Sequence, residues 1–566
     1  MRFGGKAAFG AAVIWGVPGT LAAQQAAPPP QTPPALPSQS DISRARVGLP
    51  PPETPGFDLR IQAPEKSAVP KAVDSIDFHL SRIVVEGATA YPHGEAEAYF
   101  AKLVGAPTDL EAVRNAAAAL EAHYHAEGYF LTRVFVPPQR VVDGTLTVRV
   151  VEGYLDAVQV EGMDAGSRRA VHAILAPLIG KTPLDLPAVE RRLLILNDLP
   201  GISASGVLKP GGTFGASTLV VTLVRPRNGY QASVSNTNSR LLGPWVYALN
   251  ANLNRPIGIP GALSLGVSAS GPGFALSQSG SARYSVKLGN RGLIASVGVI
   301  VARAEPGASL APLDIRNDLL SVSARMRYPL IRSRAQSLFL EAGLSVNRST
   351  TDILGQQLVN DHTTDGDIAL LYQQNGWLNG STSVTLDLYH GLPIFGASPA
   401  DTPLPSVKDF NPDFARLTYA VQRLQRLPHR FSALIAVQGQ YANSKLLTGE
   451  LVAFGGPAIG RGYDPSTITG DRGFGGLGEI RYDLPVGKPW LASAQPYAFL
   501  DGAQATSLAS QGVPETVQSL RSGGIGVRLY ERFGTIDLQG AKAFRRFPGA
   551  DERPDPRVLV TLTLFH

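Results

Sequence analysis

Cysteine is absent from all 566 residues, which excludes a disulfide framework, a thiolate zinc site and a cysteine nucleophile together. Charge is scarce as well. Charged residues make up 17% of the chain, against roughly 25% in ordinary soluble domains. The surplus of Lys and Arg over Asp and Glu is only six, too weak a field to argue for nucleic acid as a partner. No run of 18 or more apolar residues occurs, so the sequence offers no helix able to cross a bilayer. What it has in quantity is glycine, 60 residues, and proline, 45. A long chain with this balance points to extended β-structure facing an unusual solvent.

Met1 to Ala23 has the build of a secretory signal. Arg2 and Lys6 form a basic start, Ala7 to Val17 an apolar core, and Leu21-Ala22-Ala23 a run of small residues for cleavage. An eleven-residue helix spans about 16 Å, well short of a hydrocarbon core of about 30 Å, so export across a bacterial inner membrane is expected rather than anchoring. Residues 24–76 then read as a proline-rich linker, with twelve prolines between Gln24 and Ser75. Proline lacks an N–H and fixes φ, so neither a helix nor a central strand runs through such a stretch. Ser40 to Val47 leaves room for two helical turns and nothing longer.

Periodicity changes at Phe78. His79 to Gly87 reads as a strand, Gly94 to Leu103 as a helix, and a second helix starts at Thr108-Asp109 with Leu110, Val113, Ala117, Leu120 and Tyr124 along one face. Gly128 ends it, and strands follow at Tyr129 to Val136 and Leu146 to Val151, joined through Asp143-Gly144. The same order recurs. Leu155 to Glu161 is a strand and Arg168 to Leu178 a helix. Leu186, Val189, Leu193 and Leu196 mark the next helix, and strands at Ile202 to Leu208 and Thr218 to Val224 close the unit. A period near 75 residues means two copies of a compact domain, over 77–152 and 153–226.

Gly128-Tyr129-Phe130-Leu131-Thr132-Arg133-Val134-Phe135-Val136-Pro137-Pro138-Gln139, followed by Asp143-Gly144 and Val150-Val151-Glu152-Gly153, resembles the first POTRA domain of two-partner secretion transporters. These are the outer-membrane exporters of filamentous adhesins and haemolysins. The resemblance implies a periplasmic module that receives an unfolded client by adding a strand to its sheet edge, through backbone hydrogen bonds rather than catalytic side chains.

From Tyr230 to His566 the pattern has period two. Trp245, Tyr247, Leu249, Ala251 and Leu253 alternate with Val246, Ala248, Asn250, Asn252 and Asn254, and Leu263, Leu265, Val267 and Ala269 alternate with small residues. A soluble sandwich with one buried face shows alternation too. A small or polar opposite face, as a watery lumen requires, favours a membrane barrel. So do long polar stretches read as loops, Asn347 to Asp367 and Ser398 to Asp413, and the preceding export signal. At roughly 10 residues per strand plus turns, residues 228–566 hold about 16 antiparallel strands, closed because lipid cannot hydrogen-bond a sheet edge.

Phe454 to Asp464, with Arg461-Gly462-Tyr463 at its core, is similar to the loop that this family folds back inside the barrel. There the arginine pairs with an aspartate in a Phe-x-Asp-x-Gly strand motif, which Phe499-Leu500-Asp501-Gly502-Ala503 matches through Phe499 and Asp501. The pairing has a physical basis: a carboxylate offsets the cost of a partly desolvated guanidinium, and the planar fork suits it better than lysine does. Gly462 is expected to allow a backbone bend and Tyr463 to pack on the lumen wall. Position 460 departs from the family's valine and position 503 from its glycine. The linker lacks the length of helix that commonly plugs such barrels.

Other motifs weigh less. Gly473 to Gly478 fits G-x-G-x-x-G, but a loop precedes it and a strand follows, the reverse of a nucleotide fingerprint. His123 and His125 stand at i and i+2, on different helix faces. Asp361 to Asp367 lacks the register of a calcium loop. The sequence therefore reads as an all-β transmembrane barrel preceded by two small α/β POTRA domains. What the resemblance implies is a two-partner secretion pore in a Gram-negative outer membrane with its POTRA domains in the periplasm. Implied partners are a large secreted β-helical exoprotein of adhesin or haemolysin type, outer-membrane lipid and the barrel assembly machinery, with no nucleic acid, cofactor, metal or catalysis. An outer-membrane assembly or insertase factor of the same superfamily is the alternative. Such factors usually carry more than two POTRA units.

Overall fold

The computed structural model describes residues 59–61 and 78–565, apart from 93, 259, 489, 511 and 547–553. The expected signal 1–23 and the turns at Ser40 to Val47 lie outside the described residues, as does the rest of the linker except 59–61.

In the first POTRA domain, strand Arg82–Glu86 runs parallel to Thr145–Val151, and Arg133–Phe135 flanks the other side antiparallel. Helix Leu110–Ala126 covers the sheet, with Val113, Ala117, Leu120 and Tyr124 buried. Its first turn is capped by the Asp109 carboxylate, which accepts from the Ala112 amide at 2.7 Å. Three expected elements are shorter than their sequence pattern. The strand from His79 breaks at Leu80-Ser81, the helix at Gly94 divides into Glu95–Ala98 and a 3₁₀ turn Ala101–Leu103, and the strand at Tyr129 starts only at Arg133. The Glu152 of the Val-Val-Glu-Gly run is a buried tie point. It accepts from the amides of Thr89 (2.6 Å) and Ala90 (2.8 Å), the Thr89 hydroxyl and the Tyr124 hydroxyl (3.0 Å). Burial, then that last hydrogen bond, pushes the Tyr124 phenol far above its ordinary range.

The second POTRA domain repeats the topology: Tyr154–Gly162 is parallel to Ala216–Val224, and Ser203–Pro210 is antiparallel to it. Helices Ala165–Leu175 and Leu186–Asn197 are capped by Asp164 and Asp185. The proline-rich linker, read from sequence as leaving room for a short helix at most, contributes a strand: Leu59–Ile61 joins this sheet in parallel beside Ser203–Pro210. Three residues between prolines suffice for an edge strand, where one face of the ladder needs no donors. Turns at one end of the barrel dock against this domain. Arg332 makes a bidentate pair with Asp198 at 2.7 Å. Arg334 binds Glu190 through its amide (2.6 Å) and Nε (3.1 Å).

Beyond Gly229 the chain forms one closed antiparallel barrel. Arg472–Tyr482 and Leu484–Lys488 are consecutive pieces of one strand, both paired with Leu491–Ser507, so the barrel has 16 strands. The first strand, Gly229–Ser235, closes on the last, Arg557–Phe565. Alternation separates the two solvents. Along Leu293–Ala304, Val297, Val299 and Val301 are exposed on the outer wall. Along Leu491–Ser507, Leu500 is 65% exposed while Tyr497, Phe499, Asp501 and Ala503 are buried toward the lumen. Asn347 to Asp367 is not a loop. It lies in the hairpin of Gln336–Ile353 and Gln356–Asn375, turning at Leu354-Gly355. Its ladder continues with polar residues on both faces, which removes the apolar alternation that marks a strand. Ser398 to Asp413 is a loop.

Candidate functional site: a lumen loop and its polar wall

A short hairpin, Val452–Phe454 with Ile468–Gly470, carries residues 455–467 into the barrel. Ile459, Tyr463 and Phe454 pack against Leu477, Phe499, Ala503, Leu520, Ala541 and Ala543, which belong to the inner faces of four neighbouring strands. The hairpin is tied at its base by Asp471, whose carboxylate accepts from the amides of Leu446 and Leu508, both at 2.8 Å. Gly473 and Gly475, which made the sequence look like a nucleotide loop, lie within a strand. A Cβ on Gly475 would stand 2.8 Å from the Phe454 ring, so the absent side chain is what lets the hairpin lie against the wall.

Arg461 is buried, and the structure gives it two partners on different strands. Its guanidinium donates to Glu479 at 2.9 Å and lies 4.4 Å from the centroid of the Phe499 ring. Its backbone amide donates to Asp501 at 3.2 Å. The expected side-chain pair with Asp501 is therefore corrected. Asp501 holds the loop's backbone and accepts from the Ser522 hydroxyl directly opposite it, while the charge is met by Glu479. Strand register explains the difference. Glu479 is the cross-strand neighbour of Phe499, and Asp501 that of Leu477, so the guanidinium lying over Phe499 meets Glu479.

Glu479 serves three cations. Besides Arg461 it takes Arg481 (2.7 Å) and Arg528 (2.6 Å), and its side chain is fully buried. Arg528 also pairs with Asp537 at 2.9 Å and lies 4.0 Å from the Tyr497 ring centroid. Three guanidinium groups thus face two carboxylates, carried by three strands and the loop, and they form hydrogen bonds as well as ion pairs, which a buried network needs to be tolerated.

Gly462 and Tyr463 complete the seat. Gly462 is not at a left-handed φ, so the expected bend is not its reason. A Cβ there would stand 2.6 Å from the Ala543 amide nitrogen and 2.8 Å from Ser522 Cβ, and close approach demands glycine. The turns are made instead by Gly455, Gly456 and Gly460, all with positive φ. The Tyr463 hydroxyl donates to a wall carbonyl, with those of Arg521 (3.0 Å) and Arg545 (2.9 Å) both in reach, and accepts from the Arg545 amide at 3.1 Å. Its own carbonyl accepts from Arg557, which also pairs with Asp464 at 3.1 Å.

Sequence reasoning missed Glu479, Arg528, Asp537, Ser522 and Arg557. The available signal was parity: Leu477, Glu479 and Arg481 share one face of a strand. Two charges on the same face as a buried leucine in a membrane strand point into the lumen, because the other face meets lipid. Chemically the loop is seated by ion pairs, hydrogen bonds and apolar packing. Among the described residues no group of three or more His, Asp or Glu is placed to hold a metal.

The comparisons with known proteins converge on one family. Residues 78–153 match the ShlB-type POTRA domain, and residues 215–529 match the haemolysin secretion/activation protein ShlB/FhaC/HecB. The heme/hemopexin transporter protein HuxB of Haemophilus influenzae is 24% identical over 452 residues, 75% of this chain and 76% of HuxB. The hemolysin transporter protein HpmB of Proteus mirabilis is 22% identical, across 62% of this chain and 63% of HpmB. Among solved structures, CdiB from Escherichia coli superposes with a TM-score of 0.69 at 18% identity, covering 89% of this chain and 93% of CdiB. BamA from Haemophilus ducreyi, lacking its POTRA domains 1–3, reaches 0.50 at 12% identity, covering 86% of this chain and all of that one. With more than half its length inside the second family match and a POTRA-bearing 16-stranded barrel as its fold, the chain belongs to the haemolysin secretion/activation protein family.

Proposed function

We propose that this chain is the pore of a two-partner secretion system: it takes an unfolded client at its POTRA domains and passes it, extended, to the cell surface. The client is a large secreted β-helical exoprotein of adhesin or haemolysin type. The barrel sits in the lipid of a Gram-negative outer membrane, placed there by the barrel assembly machinery, and the POTRA pair faces the periplasm. Neither nucleic acid, cofactor nor catalytic chemistry enters. The observation that carries this reading is the lumen loop: residues 455–467 occupy the barrel through polar and apolar contacts, none of them covalent, so they can be exchanged for a passing chain. A diffusion pore needs neither this stopper nor two docked domains.

Export without nucleotide draws on the client itself, since the portion folded outside resists return. The test is surface delivery of the client exoprotein, measured with wild type and with Arg461→Ala or Asp501→Ala. Both variants are expected to insert normally and to export less. Undiminished export by both would overturn the assignment of the loop.

A further inference from the structure

The barrel closes where Gly229–Ser235 meets Arg557–Phe565, in pairs from Gln231–Phe565 to Ser235–Thr561. An open furrow of about 640 Å³ crosses the outer wall there. It extends from the last strand over the first to the two that follow, Val246–Asn254 and Ala262–Ser270. A volume of this size lies within the range of about 300–1,000 Å³ typical of small-molecule sites.

Strand register explains the furrow. One lipid-facing row reads Leu564, Ala232, Leu249 and Val267 across four strands. The next row toward the POTRA end reads Tyr230, Ala251 and Leu265. Ala232 and Ala251 are diagonal neighbours, and each stands between larger side chains that are exposed on the wall. Two methyl groups among leucines leave a depression that larger residues would level.

The furrow opens at the barrel end that carries the POTRA domains, since Gly229 starts its strand shortly after Val224 closes the second POTRA sheet. Phe533 lies in the turn between Thr516–Glu531 and Gly534–Ala543, and its carbonyl accepts from the Phe565 amide at 2.9 Å. Tyr230, Phe533 and Phe565 line the mouth, and aromatic girdles mark the levels where a barrel passes from hydrocarbon to headgroups. The charge beside them is mostly positive. On residues 225–230 and 531–534, Arg225, Arg227 and Arg532 are exposed against one acid, Glu531. The Arg532 guanidinium lies 5.1 Å from the centroid of the Phe533 ring. Among the described residues, neither Arg227 nor Arg532 has a carboxylate within pairing distance. Their planar forks suit a phosphate.

We propose that the furrow binds one anionic phospholipid of the periplasmic leaflet. An acyl chain lies along Ala232 and Ala251, and the phosphate meets Arg227 and Arg532. The choice of leaflet rests on the orientation proposed above, the site itself on the geometry of the wall. Lipid tails are as apolar as leucine, so filling the furrow brings no hydrophobic gain over the surrounding bilayer. Selection therefore comes from charge, and each basic residue near a membrane surface strengthens attraction to anionic lipid roughly fivefold. The chain bridges the first and last strands, so a retained lipid packs across the closure of the barrel.

The probe is an equimolar mixture of phosphatidylglycerol and phosphatidylethanolamine with identical acyl chains, added in mixed micelles to the purified full chain. Retained lipid is counted by native mass spectrometry. Wild type is expected to hold one phosphatidylglycerol, preferred about tenfold or more over phosphatidylethanolamine. Arg227→Gln with Arg532→Gln should hold one phospholipid without preference. Ala232→Phe with Ala251→Phe fills the furrow and should hold none. Val299→Phe, on the outer wall beyond the furrow, should match wild type. Heat-modifiable gel mobility verifies that each barrel is folded. Equal retention of the two lipids by wild type overturns the proposal. So does a preference that survives loss of both arginines, or a lipid held by the filled furrow as by wild type. No client enters the measurement, so its outcome is separate from that of the export reading.

Discussion

Exchanging Glu479 for glutamine keeps the size of the side chain and one acceptor but removes the charge that Arg461, Arg481 and Arg528 share. Asp537 is then the remaining carboxylate of the network, bonded to Arg528 alone among the three. Breaking a buried pair by neutralising one partner costs about 3–5 kcal/mol. The exposure of Arg481 and Arg528, whose side chains are 16% and 18% accessible, argues for the lower end. Asp501→Asn is the control. Its donors, the Arg461 amide and the Ser522 hydroxyl, are neutral, and the loss of one such bond to a carboxylate costs about 1.5 kcal/mol. Loop opening can be read from maleimide labelling of Ser466→Cys, since residue 466 is 2% exposed and no native thiol competes. At 1.4 kcal/mol per decade, Glu479→Gln should speed labelling by about 10²-fold and Asp501→Asn by about 10-fold. An Arg461–Glu479 double-mutant cycle should then show a coupling of about 1–3 kcal/mol. The reverse ranking, with Asp501→Asn the faster, would refute the assignment of the guanidinium to Glu479.

Three further outcomes follow from the same geometry. Gly462→Ala places a methyl 2.6 Å from the Ala543 nitrogen, and overpacking of about 1–3 kcal/mol should raise Ser466→Cys labelling while leaving the barrel's heat-modifiable gel mobility intact. Arg332→Ala removes a bidentate pair with Asp198, so limited proteolysis between the second POTRA domain and the barrel should accelerate with no change in barrel mobility. Asp164 has its pKa lowered to about 2, first by the Ser167 amide, then by the Ser167 hydroxyl, with Arg255 adding to both. Because the folded value lies below the unfolded one, its contribution is complete above about pH 4 and is lost as pH falls toward 2. Asp164→Asn should flatten the acid side of the second POTRA domain's unfolding profile in that window, followed by circular dichroism.

Much of the fold was legible because two solvents force alternation. Val297, Val299 and Val301 meet lipid, Tyr497, Phe499 and Asp501 meet the lumen, and the period of two survives in the sequence. The faces of helices Leu110–Ala126 and Leu186–Asn197 were equally plain, since their core sides are continuous. Where both faces of a strand carry polar residues the signal vanishes, and Asn347 to Asp367 reads as a loop although Ser349, Thr351, Asp361 and Asp365 are buried. The Leu59–Ile61 strand is too short for any periodicity and takes its order from the sheet it joins. At the lumen site, the motif carried Arg461, Gly462, Tyr463, Phe499 and Asp501 together, but the partner of the charge depends on register between strands distant in sequence. Nothing local distinguishes Glu479 from any other inward carboxylate.

The central claim is that this chain alone moves an unfolded protein across a bilayer without nucleotide. Purified chain in lipid vesicles, with outward-facing POTRA domains verified by external protease, should import its urea-unfolded client exoprotein. The expected result is full-length client protected inside the vesicles with no nucleotide added, and strongly reduced protection when the vesicles carry Arg461→Ala. Client that remains outside and digestible, with the barrel folded and correctly oriented, would contradict it.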